Sequence, residues 1–155
     1  MKHPQIPTHY RQYRVEGLHF WDIRQIAQLE RLVFLEPMSV SQVCRKYFLS
    51  RTRYLVVKDQ GRIIAYFGFE VLGQYAHVLA NVTHPQYRRQ GLAAFVLTRA
   101  QPWAERLGAK AFLGEVRLSN QAQLEVLEMI GWKQLGIIPR FFGNGEDAHI
   151  VMKVF

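Results

Sequence analysis

The six residues Arg88-Arg89-Gln90-Gly91-Leu92-Ala93 have the make-up of an anion-binding turn. Before them come an apolar run, His77-Val78-Leu79-Ala80-Asn81-Val82, and then Thr83-His84-Pro85. After them comes Ala94-Phe95-Val96-Leu97 at helical spacing. The pattern reads strand, short basic glycine turn, helix. The first N–H groups of a helix have no intrahelical acceptor, and the helix dipole adds roughly half a positive charge there. Phosphate and pyrophosphate bind at such places. Gly91 has no Cβ to hold a ligand away from the backbone. Ala93 keeps the first turn open, and Arg88 and Arg89 add charge at the rim. The chain has no GxxxxGK[ST], so the P-loop of nucleotide hydrolases is excluded, and no GxGxxG, so a dinucleotide fold has no support.

Other reactive side chains narrow the chemistry. The six histidines, at 3, 9, 19, 77, 84 and 149, show no HxxxH or HxH spacing. The single cysteine, Cys44, can form neither an intrachain disulfide nor a cysteine zinc cluster, so no metal is expected. Cys44 reads as a small packed residue and His84 as a strand-end residue. Glu30 lies seven residues after Ile23, on the apolar face of a helix. A carboxylate there needs a partner if it is buried, and it reads first as a satisfied structural or interfacial group.

The elements that must position these residues follow from periodicity and turn signals. Residues 1–8, with Pro4 and Pro7, read as an extended tail. Residues 10–15 read as a first strand ended by Gly17. A helix over 22–34 puts Ile23, Ile26, Ala27, Val33 and Phe34 on one face; Pro37 ends that region, and Ser39 caps a second helix to about 49. Strands follow at 52–58, 62–72 and 75–83, with turns at Asp59-Gln60-Gly61 and Gly73-Gln74. The helix over 92–107 should show a kink or an early irregularity at Pro102 and be capped by Gly108. A buried strand spans 110–116. Ser119 or Asn120 caps a last helix, with Ala122, Val126, Met129 and Ile130 inward and Gly131 at its end. Two strands, 132–142 and 148–155, surround Gly143-Asn144-Gly145. This order describes a single α/β (α+β) domain over 1–155 with one central sheet.

The 155 residues suffice for one domain with a sizeable core, and 49% apolar and 13% aromatic content describe a globular protein. No apolar run approaches membrane-spanning length and no leader-type apolar segment opens the chain, so a soluble cytoplasmic protein is expected. The net charge of +8 suits a polyanionic ligand. The cations are scattered in small knots such as Arg45-Lys46-Arg51-Arg53, which disfavours nucleic acid as the partner.

Several motifs resemble one family. Arg-x-x-Gly-x-Ala after a strand and His84-Pro85 resembles the pyrophosphate loop of the GNAT acetyltransferases. Within that superfamily the chain is similar to the RimI group, the ribosomal-protein-alanine N-acetyltransferases. Glu30-x-x-x-Phe34-x-x-Pro37-Met38-Ser39 resembles that group's Glu-x-x-x-Phe-x-x-Pro-Trp-Ser. Glu115-Val116-Arg117-Leu118-Ser119-Asn120 resembles its Glu-Val-Arg-x-Ser-Asn, and Asn144-Gly145-Glu146-Asp147-Ala148 its C-terminal hairpin. The resemblance covers nearly the whole chain. It implies a mostly antiparallel mixed sheet flanked by helices, with acetyl-CoA in a cleft between two splayed strands. It puts the pyrophosphate on Arg88, Arg89, Gln90, Gly91, Leu92 and Ala93, the pantetheine on the backbone of Val82 and Thr83, and the cofactor arm against Asn120. It makes Glu115 the general base that takes a proton from a primary amine; by residue type alone Glu115 reads as a strand-end partner of Arg117 or Arg140. Glu30, Arg140, Phe141 and Phe142 would border the acceptor, which is a protein N-terminus, a lysine or a small amine. A homodimer stays open.

Three positions depart from the group. Its tyrosine seven residues after Ser-Asn, the acid for the leaving thiolate, is Leu127 here. Its Tyr-Tyr pair is Phe141-Phe142, and its Trp is Met38. These changes imply a drier, more hydrophobic acceptor site. They raise the alternative of a weakly active or inactive module that holds coenzyme A as a sensor or partner.

Overall fold

The computed structural model describes residues 12–155. The expected tail at 1–8 and the start of the expected first strand lie outside them. Seven strands form one sheet in the order β1-β2-β3-β4-β5-β7-β6. They are β1 (Val15–Gly17), β2 (Thr52–Asp59), β3 (Arg62–Leu72), β4 (Tyr75–Thr83), β5 (Ala111–Arg117), β6 (Lys133–Ile138) and β7 (Ala148–Val154). Four α-helices flank it: α1 (Ile23–Val33), α2 (Val40–Tyr47), α3 (Leu92–Arg106) and α4 (Gln121–Met129). Short turns make β2–β3 and β3–β4 antiparallel hairpins. Among the described strands only β4 and β5 are parallel, because α3 carries the chain back between them.

Both faces of the central strands are buried, so β2 and β3 read as nearly continuous apolar runs. On one face Leu55, Val57, Phe67, Phe69 and Phe112 pack with Leu92, Val96, Leu97 and Ala100 of α3, Leu124 and Leu127 of α4, and Trp132. On the other, Tyr54, Val56, Tyr66, Ala80 and Val82 pack with Ile23, Ile26 and Leu29 of α1 and Val43 of α2. Each fully buried large aliphatic or aromatic side chain contributes about 1.5–3 kcal/mol relative to exposure. Ser39 starts α2 with a capping box: its hydroxyl accepts from Gln42 N–H, and the Gln42 side chain accepts from Ser39 N–H.

Four local expectations are corrected. The first strand is Val15–Gly17, so Gly17 lies within it, pairing Leu55. The inner face of α4 carries Leu124 and Leu127, whereas Met129 is 40% exposed; the apolar residues of this short helix fit two phases, and the core selects the one that fills the space beside Phe112. The α3 helix stays continuous through Pro102 to Arg106, so the expected early irregularity does not occur. Strand β6 stops at Ile138, ahead of Pro139, which cannot donate to a ladder.

The feature that makes a site is the β4–β5 seam. The two strands pair at only three positions, Tyr75↔Ala111, Ala76↔Phe112 and His77↔Leu113, and then part. Gly68 opposes Ala80 and Phe69 opposes Val78, so Leu79 is an extra residue in β4, a β-bulge. It sits where the strands separate. At that point a Cβ on Gly114 would come within 3.1 Å of Val78 Cβ. Glycine there lets the two backbones approach just before they diverge.

Candidate active site

The divergence opens a cleft of about 270 Å³. Val78 to Asn81 of β4 form one wall, and Gly114 to Arg117 of β5 the other. Leu97 of α3, and Asn120, Gln123 and Leu127 of α4, close one end. Glu30, Phe34, Glu36, Met38 and Phe142 lie at the other.

The basic turn sits at the top of β4. Gly91 is the residue before α3 and has φ +82°, in the left-handed region that glycine occupies without strain. Arg89 also has positive φ, +61°. The pair of reversals turns the chain sharply into α3, whose first-turn N–H groups then face away from the helix. The Arg88 Nε lies 3.5 Å from the Thr83 carbonyl and its side chain is exposed. The sequence-expected loop is therefore built as a helix-start cradle, at the end of the strand that lines the cleft. Val82 is buried against α1 and α2. Thr83 Oγ1 is buried and finds no hydrogen-bond partner among the described residues.

Glu115 lines the cleft and does not pair with Arg117 or Arg140. Its Oε2 lies 2.8 Å from His77 Nε2, on the neighbouring strand. The hydrogen bond to Glu115 raises the His77 pKa above its usual 6.5, partly offset by burial. Arg117 is committed elsewhere: it donates to Glu146 and Asn144 at 3.0 Å, and its guanidinium lies 3.9 Å from the centre of the Phe142 ring. Asn120 caps α4 by accepting from Gln123 N–H, and it lines the cleft.

Glu30 is buried, as its helical phase requires, and is satisfied. Tyr66 donates its hydroxyl to Oε1, and Met38 N–H donates to Oε2 at 2.6 Å. Burial first, and the Glu30 charge second, push the Tyr66 hydroxyl well above its ordinary pKa. This pins the α1–α2 loop to the sheet and fixes Met38 and Phe34 at the cleft.

The β6–β7 loop forms the other lip. Glu146 accepts from the Ser119 hydroxyl at 2.5 Å, from Ser119 N–H at 2.9 Å and from Arg117. These bonds, the Ser119 ones foremost, bring its pKa down to about 2. Phe142 reaches the cleft, whereas Phe141 is 45% exposed and packs edge-on against Phe142. Arg140, at φ +48°, donates its backbone N–H to Asp147 and is exposed. The structure thus brings Glu30, Glu115, Asn120 and Phe142 to one cavity and leaves Phe141 and Arg140 outside its lining. Among the described residues no group of three His, Cys, Asp or Glu side chains could hold a metal ion.

His77, Glu36 and Asn81 were not among the residues singled out from sequence. His77 sits in an apolar run whose register to β5 is fixed only by the crossover, and Glu36 comes into range only because the two loops meet: a Cβ on Gly143 would fall on its carboxylate.

The sheet thus parts beside a bulge, and the glycine turn that starts α3 follows the same strand. Residues 20–132 match the model of the acetyltransferase (GNAT) family, and the chain belongs to that family. Over 154 residues it is 23% identical to an N-alpha-acetyltransferase of Sulfurisphaera tokodaii, covering 91% of this chain and 92% of that one. It is also 23% identical over 139 residues to the N-alpha-acetyltransferase RimI of Mycobacterium tuberculosis, with 85% and 86% covered. The structure of the ribosomal-protein-S18-alanine N-acetyltransferase from Escherichia coli shares its fold, with a TM-score of 0.81 at 23% identity over 92% of this chain and 93% of that one. No helix among the described residues is long and apolar enough to cross a membrane.

Proposed function

We propose that the chain transfers the acetyl group of acetyl-CoA to the α-amine of a protein N-terminus. The observation that carries this reading is the seam: one strand, β4, joins the anion cradle at Gly91 to a cleft lined by the Glu115 carboxylate. The names of the relatives support the acceptor class. The residues fit the co-substrate. The cradle suits a pyrophosphate, the unpaired edges of β4 and β5 suit an arm with amide groups, and two buried polar atoms on β4, Asn81 Nδ2 and Thr83 Oγ1, have no partner among the described residues. The thioester of acetyl-CoA supplies an activated acyl group; the protein's work is to deliver a neutral amine to it.

Glu115 does that in this reading. An α-amine has a pKa of about 7.7–8.0, so much of it is protonated at neutral pH. His77 holds one carboxylate oxygen and leaves the other for the amine proton. Arg88, Arg89, Gln90, Gly91, Leu92 and Ala93 bind the pyrophosphate. Val82 and Thr83 offer backbone to the pantetheine, and Asn120 borders it. Glu30 holds the α1–α2 lip, while Phe142, with Arg140 and Phe141 behind it, shapes the opposite lip for the acceptor. The single half-buried thiol of Cys44 is consistent with a cytoplasmic setting.

The first test is thermal unfolding with acetyl-CoA, with ATP and NADH as polyanion controls. Ligand at 100 times its Kd stabilises by about 2.7 kcal/mol. A shift specific to acetyl-CoA is expected, followed by mass-spectrometric acetylation of a peptide with a free N-terminus and none of its N-terminally blocked form. An equal shift with all three ligands would reduce the cradle to a generic anion site.

Leu127, buried with no hydroxyl to offer, favours a second reading: a domain that holds coenzyme A and transfers slowly. Specific binding without turnover on any amine would select it.

A further inference from the structure

Asn81 stands in the cleft wall two residues beyond the Leu79 bulge. Its registered partner across β3–β4 is Phe67, which belongs to the core under α3 and α4. Its chain neighbours Ala80 and Val82 belong to the opposite core. Directly paired residues share a face, so the Asn81 carboxamide lies on the α4 side of the cleft, the side that Leu127 also lines. Its Nδ2 is buried and has no acceptor among the described residues. An orphaned buried amide is destabilising, and an apolar side chain of the same shape would remove that cost. Stability alone therefore argues for leucine at this position.

We propose that Asn81 is a further catalytic residue: a small rotation of its side chain turns the carboxamide N–H to the cleft, where it donates to the sulfur that leaves the acyl thioester. This rests on the acetyl-CoA reading above. The amine nitrogen forms its bond to the acyl carbon as the carbon–sulfur bond breaks. The electron pair of that bond stays on sulfur, the amine proton passes to Glu115, and the thiolate takes its proton from solvent. Asn81 stabilises the charge on sulfur without giving up a proton. It thus takes over, from the same side of the cleft, what Leu127 cannot do.

Asn81→Leu tests this with three readouts. The apo variant should unfold at the wild-type temperature or above it. Its kcat should fall roughly 10–100-fold while the Kd for acetyl-CoA changes less than about threefold. Free coenzyme A bound to the variant, followed by thiolate absorbance, should titrate about half a pH unit or more above coenzyme A bound to wild type. Adding Leu127→Tyr to Asn81→Leu should recover part of the lost rate. Unchanged kcat together with an unchanged thiol titration would overturn the role of Asn81 while leaving the acetyltransferase reading intact. A large loss of apo stability would overturn it too, by showing that Nδ2 has a structural partner. Absence of any acetyl-CoA binding by the wild type would overturn both.

Discussion

The Glu115 carboxylate and the His77 imidazole meet at 2.8 Å across the parallel β4–β5 pair: His77 stands on its last rung, opposite Leu113, and Glu115 lies two residues further along β5, where the strands separate. The pairing puts a charge-assisted hydrogen bond at the mouth of the cleft. Glu115→Gln keeps the shape and removes the proton acceptor. Its kcat is expected to fall about 10²–10³-fold, within the range for loss of a general base, with the Kd for acetyl-CoA unchanged. A wild-type rate at neutral pH would remove Glu115 from the reaction.

The same pair leaves a mark on stability. The folded-state pKa of His77 is raised, so its contribution is fully present below the unfolded value of about 6.5. It is lost as pH rises through the raised folded value. Denaturant unfolding of wild type and His77→Gln should therefore differ more at pH 5.5 than at pH 9. A difference that grows toward alkaline pH would contradict the ion-pair geometry.

Gly91 takes a left-handed conformation immediately before α3. Glu at 91 would adopt it only with strain of about 1–2 kcal/mol, and it adds bulk and negative charge to the cradle. Isothermal titration should show acetyl-CoA affinity reduced at least about 100-fold, the equivalent of 2.7 kcal/mol. Full affinity in Gly91→Glu would move the phosphate site elsewhere.

The cradle, the element order and the seat of Glu115 were legible because each depends on local signals: a glycine turn after an apolar run, a cap, an alternation. Ser39 with Gln42, and Gly108 at φ +87°, are such signals. What the sequence did not carry depends on register between distant strands. His77 meets Glu115 only through the β4–β5 pairing, and the Leu79 bulge decides which side of the sheet Asn81 faces. The phase of α4 was misjudged for a related reason. Leu124 and Leu127 face inward because of the space beside Phe112 and Trp132, and nothing within α4 itself shows that space.

Tyr66 and Glu30 form the buried link between the sheet and the α1–α2 loop. Tyr66→Phe leaves the carboxylate buried with one donor fewer. A hydrogen bond to a charged group contributes about 1.5–3 kcal/mol, and the variant should lose about that much in urea unfolding. Because Met38 hangs from the other oxygen, the KM for the acceptor should rise more than the KM for acetyl-CoA. Equal changes in both would indicate a general loss of folding in place of a displaced lip.

The opposite lip is held by Glu146, which gathers Ser119 and Arg117 and so ties the β6–β7 loop to the end of β5. Phe142 is stacked under that same Arg117, so the loop anchor and the acceptor wall share one guanidinium. Glu146→Ala frees Arg117 and removes the acceptor for Ser119. Loss of positioning of this kind should raise the acceptor KM roughly tenfold and leave acetyl-CoA binding, proposed to run along β4, unchanged. The sign of the pH dependence is fixed by the lowered Glu146 pKa: its contribution is present above the unfolded carboxyl value and is lost only as pH falls through about 2. The ratio of acceptor KM between Glu146→Ala and wild type should therefore stay flat from pH 8.5 down to pH 4. A ratio that collapses between pH 5 and pH 4 would mean that the carboxylate titrates in the ordinary range and that the Ser119 bonds do not hold the loop.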